Sequence, residues 1–311
     1  MILAAGEGTR LRPLTLETPK VLLPVGGRPL IEYTLNWLRS HGIREIAINL
    51  YHLGDKIKDF LGDGSHFGVK ISYSEEEKLL GTAGGAKRMA HLLLPNPQSP
   101  IPSPQSPTPS PFVVIYGDVL TNFNLTAMLQ FHREKSALAT LALFRVPSPE
   151  SRVSSPQSPI PNPQPPIPSP QEIGVVEING EGRILSFAEK PDTLNLERRT
   201  LNVEHRTLNI EHRTLNVEHR TLNIEHELLG SGGIYVLERE VLNYIPDEGS
   251  PDFAYDVFPK LIEQGFPIYG YILEPGAYLL DIGTPEKYQK AQEIVHQFKV
   301  QSATSKTERR T

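Results

Sequence analysis

Residues 1–20 read MILAAGEGTRLRPLTLETPK, and this stretch organises the rest of the chain. Ile2-Leu3-Ala4-Ala5 is a short apolar run that ends at Gly6. Gly8, Thr9, Arg10, Pro13, Pro19 and Lys20 follow. An apolar strand entering a glycine-rich loop suits phosphate, because glycine lets backbone N–H groups come close to an anion. Arg10 adds a bidentate fork and Lys20 a point charge. The loop is not a Walker A motif, since GxxxxGK[ST] is absent. It is not a dinucleotide fingerprint either, because Gly6-x-Gly8 lacks a third glycine and no helix is expected directly behind it.

The totals narrow the field. At 311 residues, 38% hydrophobic and 22% charged, the chain has an ordinary globular composition. It contains no cysteine, which excludes disulfides and thiolate metal sites. A formal charge of −5 speaks against a nucleic-acid binder, so an anionic substrate needs local cations. No apolar run reaches the roughly 18 residues that span a bilayer, and no signal-peptide pattern opens the chain. The expectation is a cytoplasmic protein with no membrane partner; a homo-oligomer is left open.

Three stretches stand apart. Residues 95–111 hold eight prolines and residues 148–171 hold nine, both in seven-residue repeats. Residues 193–226 repeat LNxEHRT at the same period. Proline removes backbone donors, so the first two are expected as loop or disordered chain. In the third, apolar residues alternate two then five apart, which is not the three-then-four spacing of a coiled coil, so a long, poorly packed loop or disordered chain is expected there too. Its histidines, His205, His212, His219 and His226, are read as copies made by duplication rather than as metal ligands. With these inserts set aside, strand and helix patterns alternate. Strands are expected at 2–5, 45–50, 69–73, 112–116, 139–144, 174–178, 183–188, 233–237, 269–273 and 278–280. Helices are expected at 30–40, 55–61, 84–94, 125–133, 253–264 and 285–297. Such alternation predicts an α/β domain over 1–299, with a mostly parallel sheet covered on both faces and a frayed tail at 300–311.

Candidate site residues cluster where strands end. Asp118, in Tyr116-Gly117-Asp118, follows a buried apolar strand, and ligands of open α/β sheets gather at that edge. Asp281 ends another strand. Thr284 with Pro285 is the better helix cap, which leaves Asp281 for a different role. Two carboxylates beside a phosphate loop suit Mg²⁺, which favours oxygen ligands and substrate phosphates. Gly81-Thr82-Ala83-Gly84-Gly85 is a second glycine-rich turn, and Glu189-Lys190-Pro191 follows a strand.

Taken in order, LAAGEGTRLRPLTLETPK, LGTAGG, YGD, GVVEI, AEKP, GGIYVLEREVL and DIGTPEKY resemble the sugar-1-phosphate nucleotidyltransferases. The resemblance implies a Rossmann-like nucleotidyltransferase fold. It implies transfer from a nucleoside triphosphate to a sugar 1-phosphate, giving a nucleotide sugar and pyrophosphate. It puts Leu3, Ala4, Ala5, Gly6, Gly8, Thr9, Gly81 and Gly84 at the nucleotide. Arg10 and Lys20 become catalytic, Asp118 and Asp281 hold Mg²⁺, and Gly174, Glu189 and Lys190 meet the sugar phosphate. The GTAGG, INLYHLGDKI and GDGSHFGV segments are most similar to bacterial mannose-1-phosphate guanylyltransferases, so GTP and mannose 1-phosphate are the expected pair. A uridylyl- or thymidylyltransferase acting on glucose 1-phosphate is the alternative, and a non-catalytic nucleotide-sugar-binding relative is the rival. Relatives carry a few residues before ILAAG, so the expectation is either a short first strand or a true start that lies upstream. The left-handed β-helix that some relatives carry at the C-terminus is not expected.

Overall fold

The computed structural model describes residues 1–93, 111–146, 173–189 and 228–304, with side chains left aside at 228 and 296–304. The inserts therefore lie outside the described residues, apart from Pro111. The first strands are β1 (Ile2–Leu3), β2 (Pro24–Val25), β3 (Arg28–Pro29), β4 (Glu45–Leu50), β5 (Lys70–Glu75) and β6 (Phe112–Tyr116). They are followed by β7 (Val119–Thr121), β8 (Ala139–Val146), β9 (Gly174–Ile178), β10 (Ile184–Glu189), β11 (Leu228–Leu237), β12 (Ile268–Ile272) and β13 (Leu279–Asp281).

The main sheet runs β10-β9-β11-β6-β1-β4-β5, with β8 on β11 and β12 on β8. Its β5-β4-β1-β6 half is parallel, as is the β8–β12 pair. β11 is antiparallel to β6, β8 and β9. The sheet is thus mixed, with a parallel half whose strand β1 leads into the glycine-rich loop.

Burial explains why the parallel strands read as unbroken apolar runs. In β6, Val113 and Ile115 face a cluster with Ile31, Leu35 and Leu38 of the Leu30–Ser40 helix. Val114 faces the opposite cluster, with Ala83, Ala86, Phe258 and Leu261. Helices therefore cover both faces. A third cluster, with Leu11, Val25, Leu120, Leu280 and Ile294, ties the N-terminal loop to β7, β13 and the last helix.

Several boundaries differ from the sequence expectation. β1 has only two residues, and the Met1 ammonium is buried against Val113 O at 2.7 Å. The predicted 84–94 helix starts at Gly81 and breaks at Met89, giving Gly81–Arg88 and Ala90–Leu93. The predicted 253–264 helix opens as a π-turn, Phe253–Val257, before the α-helix Phe258–Glu263. A helical turn at Leu14–Glu17 and the short strands β2, β3 and β7 were not expected, because two to four residues carry no measurable period. The last helix runs Pro285–Thr304, so residues 300–304 are helical where a frayed tail was expected; no glycine or proline interrupts the run after Pro285. Among the described residues, no helix is long and apolar enough to cross a membrane.

Candidate active site

Two cavities meet at Tyr116 and Asp118, beyond the carboxyl ends of β1 and β6. The larger, about 290 Å³, has Leu3, Ala4, Ala5, Gly6 and Gly8 on one side and Gly81 and Thr82 on the other. Lys20 and Asp118 also line it. Of the residues expected at the nucleotide, Thr9 and Gly84 do not line this cavity. Thr9 opens the 3-10 turn Thr9–Leu11, and the Gly84 N–H donates to Pro251 O at 3.2 Å.

The two glycine-rich loops are held apart at a set distance by a buried polar tie. Asn49, on β4, accepts from Ala4 N through Oδ1 at 2.8 Å and donates through Nδ2 to Glu76 Oε1 at 2.8 Å. The other Glu76 oxygen accepts from Leu80 N at 3.1 Å. Both side chains are buried, at 3% and 7% exposure. Gly81 follows, in the left-handed region at φ 76°, and a Cβ there would stand 2.4 Å from Pro251 O. Thr82 Oγ1 donates to Asp252 Oδ2 at 2.7 Å and accepts from Phe253 N at 3.0 Å. The start of this helix is thereby packed against the 250–253 segment.

The smaller cavity, about 150 Å³, is bordered by Arg10, Gly174, Glu189, Asp281 and Lys287. Gly174 and Glu189 are cross-strand partners in the β9–β10 hairpin. β11 shifts register between Ser231 and Tyr235, and the chain there passes through Gly232 and Gly233. That irregularity brings Ser231, Gly232 and Gly233 to the cavity wall. Lys190 lies outside the described residues.

The β7–β13 pairing places Asp281 opposite Val119, and Ile282 N donates to Asp118 O at 2.9 Å. Two carboxylates 163 positions apart in sequence (118 to 281) become neighbours through this small sheet. Lys20 Nζ donates to Asp118 Oδ2, and Lys287 Nζ donates to Asp281 Oδ2 at 2.8 Å. A Cβ built on Gly283 would stand 2.7 Å from Asp281 Oδ1, 2.9 Å from Arg10 Nη2 and 3.3 Å from Lys20 Nζ. One small volume thus gathers Arg10, Lys20 and Asp281, and any side chain at 283 would fill it.

Burial pushes the Asp281 carboxyl upward. The Lys287 hydrogen bond and charge, the Gly283 N–H and the Lys20 charge outweigh it and hold the group below its ordinary value. Asp281 is therefore ionised at neutral pH. Tyr116, on the wall shared by both cavities, is pushed well up by burial and by the neighbouring Tyr235 and Asp252. Its phenol stays neutral and keeps its proton.

Among the described residues, no three His, Cys, Asp or Glu side chains form a metal cage. The donors present are the two carboxylates Asp118 and Asp281, beside cavities large enough for phosphate groups. That set fits a hard divalent cation completing its shell with phosphate oxygens and water. Asn49, Glu76, Thr82, Tyr116, Asp252 and Lys287 were not singled out from sequence as site residues. Asn49 alone carried a signal, as a polar residue in an otherwise apolar strand interior.

A family model described as Nucleotidyl transferase matches residues 1–152 and 164–297. A UTP–glucose-1-phosphate uridylyltransferase from Synechocystis sp. is 34% identical over 303 residues, covering 94% of this chain and 61% of that protein. A mannose-1-phosphate guanylyltransferase from Mycobacterium tuberculosis is 29% identical over 289 residues, covering 93% and 62%. The chain thus spans about three fifths of the length of these curated relatives. The crystal structure of HddC from Yersinia pseudotuberculosis shares the fold, with TM-score 0.62 at 20% identity over 94% of this chain and 96% of that one.

Proposed function

The chain belongs to the nucleotidyl transferase family, and on that premise we propose that it transfers a nucleotidyl group from a nucleoside triphosphate to a sugar 1-phosphate. The observation that carries this reading is the junction of the two cavities, where Arg10, Lys20, Asp118 and Asp281 converge. The triphosphate occupies the larger cavity along Leu3, Ala4, Ala5, Gly6 and Gly8, with its base toward Gly81. The sugar phosphate occupies the smaller cavity beside Gly174 and Glu189.

The chemistry asks little of proton transfer. A phosphate oxygen of the sugar phosphate is already anionic and attacks the α-phosphorus directly. A new P–O bond forms as the bond to the β-phosphate oxygen breaks, and pyrophosphate leaves. The protein must align the two substrates and neutralise their charge. Arg10 and Lys20 lie where that charge builds up. Asp118 and Asp281 would hold Mg²⁺, which when bound supplies Lewis-acid neutralisation of phosphate oxygens. Tyr116, neutral and fixed by its packing against Tyr235, divides the two substrates.

Two substrate pairs are favoured by different observations. The GTAGG, INLYHLGDKI and GDGSHFGV segments favour GTP with mannose 1-phosphate, as the M. tuberculosis relative's name would suggest. The higher identity to the Synechocystis protein favours UTP with glucose 1-phosphate. The test is pyrophosphate release with Mg²⁺, both sugar phosphates and GTP, UTP, dTTP, CTP and ATP in turn. One pair clearly ahead names the substrates. A folded protein that releases no pyrophosphate with any pair, yet binds a nucleotide sugar, is the non-catalytic relative instead.

A further inference from the structure

Lys287 is an unusual place for a cation. It sits in the first turn of the Pro285–Thr304 helix, where the aligned backbone dipoles already present positive charge. It is 9% exposed, and a lysine that buried needs a strong local reason. Its Nζ donates to Asp281 Oδ2 at 2.8 Å, and its backbone N–H meets Thr284 Oγ1 at 3.4 Å. Asp281 also has a partner besides Lys287: the Gly283 N–H donates to Oδ1 at 3.0 Å, and Arg10 Nη2 and Lys20 Nζ border the same small volume beside Gly283.

The cavities separate the roles of the two lysines. Lys20, paired with Asp118, lines the larger cavity. Lys287 lines only the smaller one, together with Arg10, Gly174 and Glu189. An ammonium held by a carboxylate at a cavity wall can change partner when an anion arrives and the carboxylate turns to another cation.

We propose that Lys287 is a binding cation for the phosphate of the sugar 1-phosphate, held by Asp281 until that substrate arrives. The inference rests on the reading of the smaller cavity given under the proposed function. Charge-assisted contacts of this kind are the strong ones in anion recognition. Lysine at this point acts as a compact, mobile charge, so it can leave one oxygen acceptor for another without a fixed fork geometry.

The test is calorimetric titration of the full chain with mannose 1-phosphate and with glucose 1-phosphate, with MgCl₂ present, alongside titration with the preferred nucleoside triphosphate. The variants are Lys287→Gln, which can still hydrogen-bond Asp281 but carries no charge, and Lys287→Arg, which restores charge. Lys287→Gln should weaken sugar-phosphate binding by about 10- to 100-fold, the loss of one hydrogen bond to a charged group. Its nucleotide affinity and melting temperature should stay near wild type, and Lys287→Arg should recover most of the binding. Wild-type sugar-phosphate affinity in a folded Lys287→Gln overturns the inference. Equal losses for nucleotide and sugar phosphate, or a loss of folding in Lys287→Gln, would make Lys287 a structural partner of Asp281 and overturn it as well. Silence of the wild type toward both sugar phosphates would sink the functional reading itself, and this inference with it.

Discussion

Replacing Asn49 with leucine tests how the two glycine-rich loops are kept in register. Asn49 is buried and makes two hydrogen bonds of 2.8 Å, one from Ala4 N and one to Glu76 Oε1. Leucine leaves the Ala4 N–H and one Glu76 oxygen without those partners in a site closed to water. Each orphaned group costs about 1–3 kcal/mol, and more where the group is charged, so a loss of about 3–5 kcal/mol is expected. Glu76→Met should cost a similar amount, since it strands Asn49 Nδ2 and the Leu80 N–H. The double variant removes both ends of the Asn49–Glu76 bond, and its cost should fall short of the sum by about 1.5–3 kcal/mol. Urea denaturation of the four proteins, with matching slopes, gives these numbers. The tie spans the two walls of the larger cavity, so the same variants should raise the nucleotide KM more than they lower kcat. An Asn49→Leu protein within 0.5 kcal/mol of wild type, or strict additivity in the cycle, would refute the idea that this tie holds the loops.

Other expectations follow from the same geometry. If Asp118 and Asp281 hold a divalent cation as proposed, Asp118→Asn and Asp281→Asn should each lower kcat/KM at least about 100-fold, because several kcal/mol of charge neutralisation would then depend on that cation. Their melting temperatures should stay near wild type while Mn²⁺ binding, followed by electron paramagnetic resonance, is lost. Gly81→Ala should destabilise by about 1–3 kcal/mol, since alanine meets both the left-handed backbone and Pro251 O. A melting point several degrees lower, with weaker nucleotide binding, is the check. His132 is buried between Thr140 and Glu238, and burial lowers its imidazole to about 4 from the ordinary 6.5. The unfolded chain therefore takes up a proton that the folded chain excludes. This contribution is complete above about pH 6.5 and declines as pH falls toward 4, by up to about 3 kcal/mol at 1.36 kcal/mol per unit. His132→Gln should flatten that part of the stability–pH curve in urea melts between pH 7 and 4.5.

Much of the architecture was legible because both faces of a parallel sheet must be covered. Glu45–Leu50, Phe112–Tyr116 and Leu30–Ser40 came out at the bounds expected from apolar pattern and turn residues. The first loop was legible as a loop, because Gly6 and Gly8 interrupt the apolar run Ile2–Ala5. The short elements in and after it were not, because the Thr9–Leu11 turn and the strand Pro24–Val25 are too brief for any period to emerge. The β11 partner switch was also hidden, since which strands flank Leu228–Leu237 depends on packing and not on its own residues.

The chain's sequence by itself determined the α/β alternation, the glycine-rich loop after the first strand and the residue types available for charge neutralisation, all of which are local properties of pattern and chemistry. Only the tertiary structure decided which of them meet. Asp118 and Asp281 are neighbours because Val119–Thr121 pairs with Leu279–Asp281. Glu76, one of three consecutive glutamates, is the one drawn inside because Asn49 and Leu80 offer it donors there. Lys287 reaches the cavity because the last helix begins two residues after Gly283, where the absence of a side chain leaves room for Arg10, Lys20 and Asp281 to converge. Contacts between residues far apart in sequence have no local signature, so folding alone assigns them.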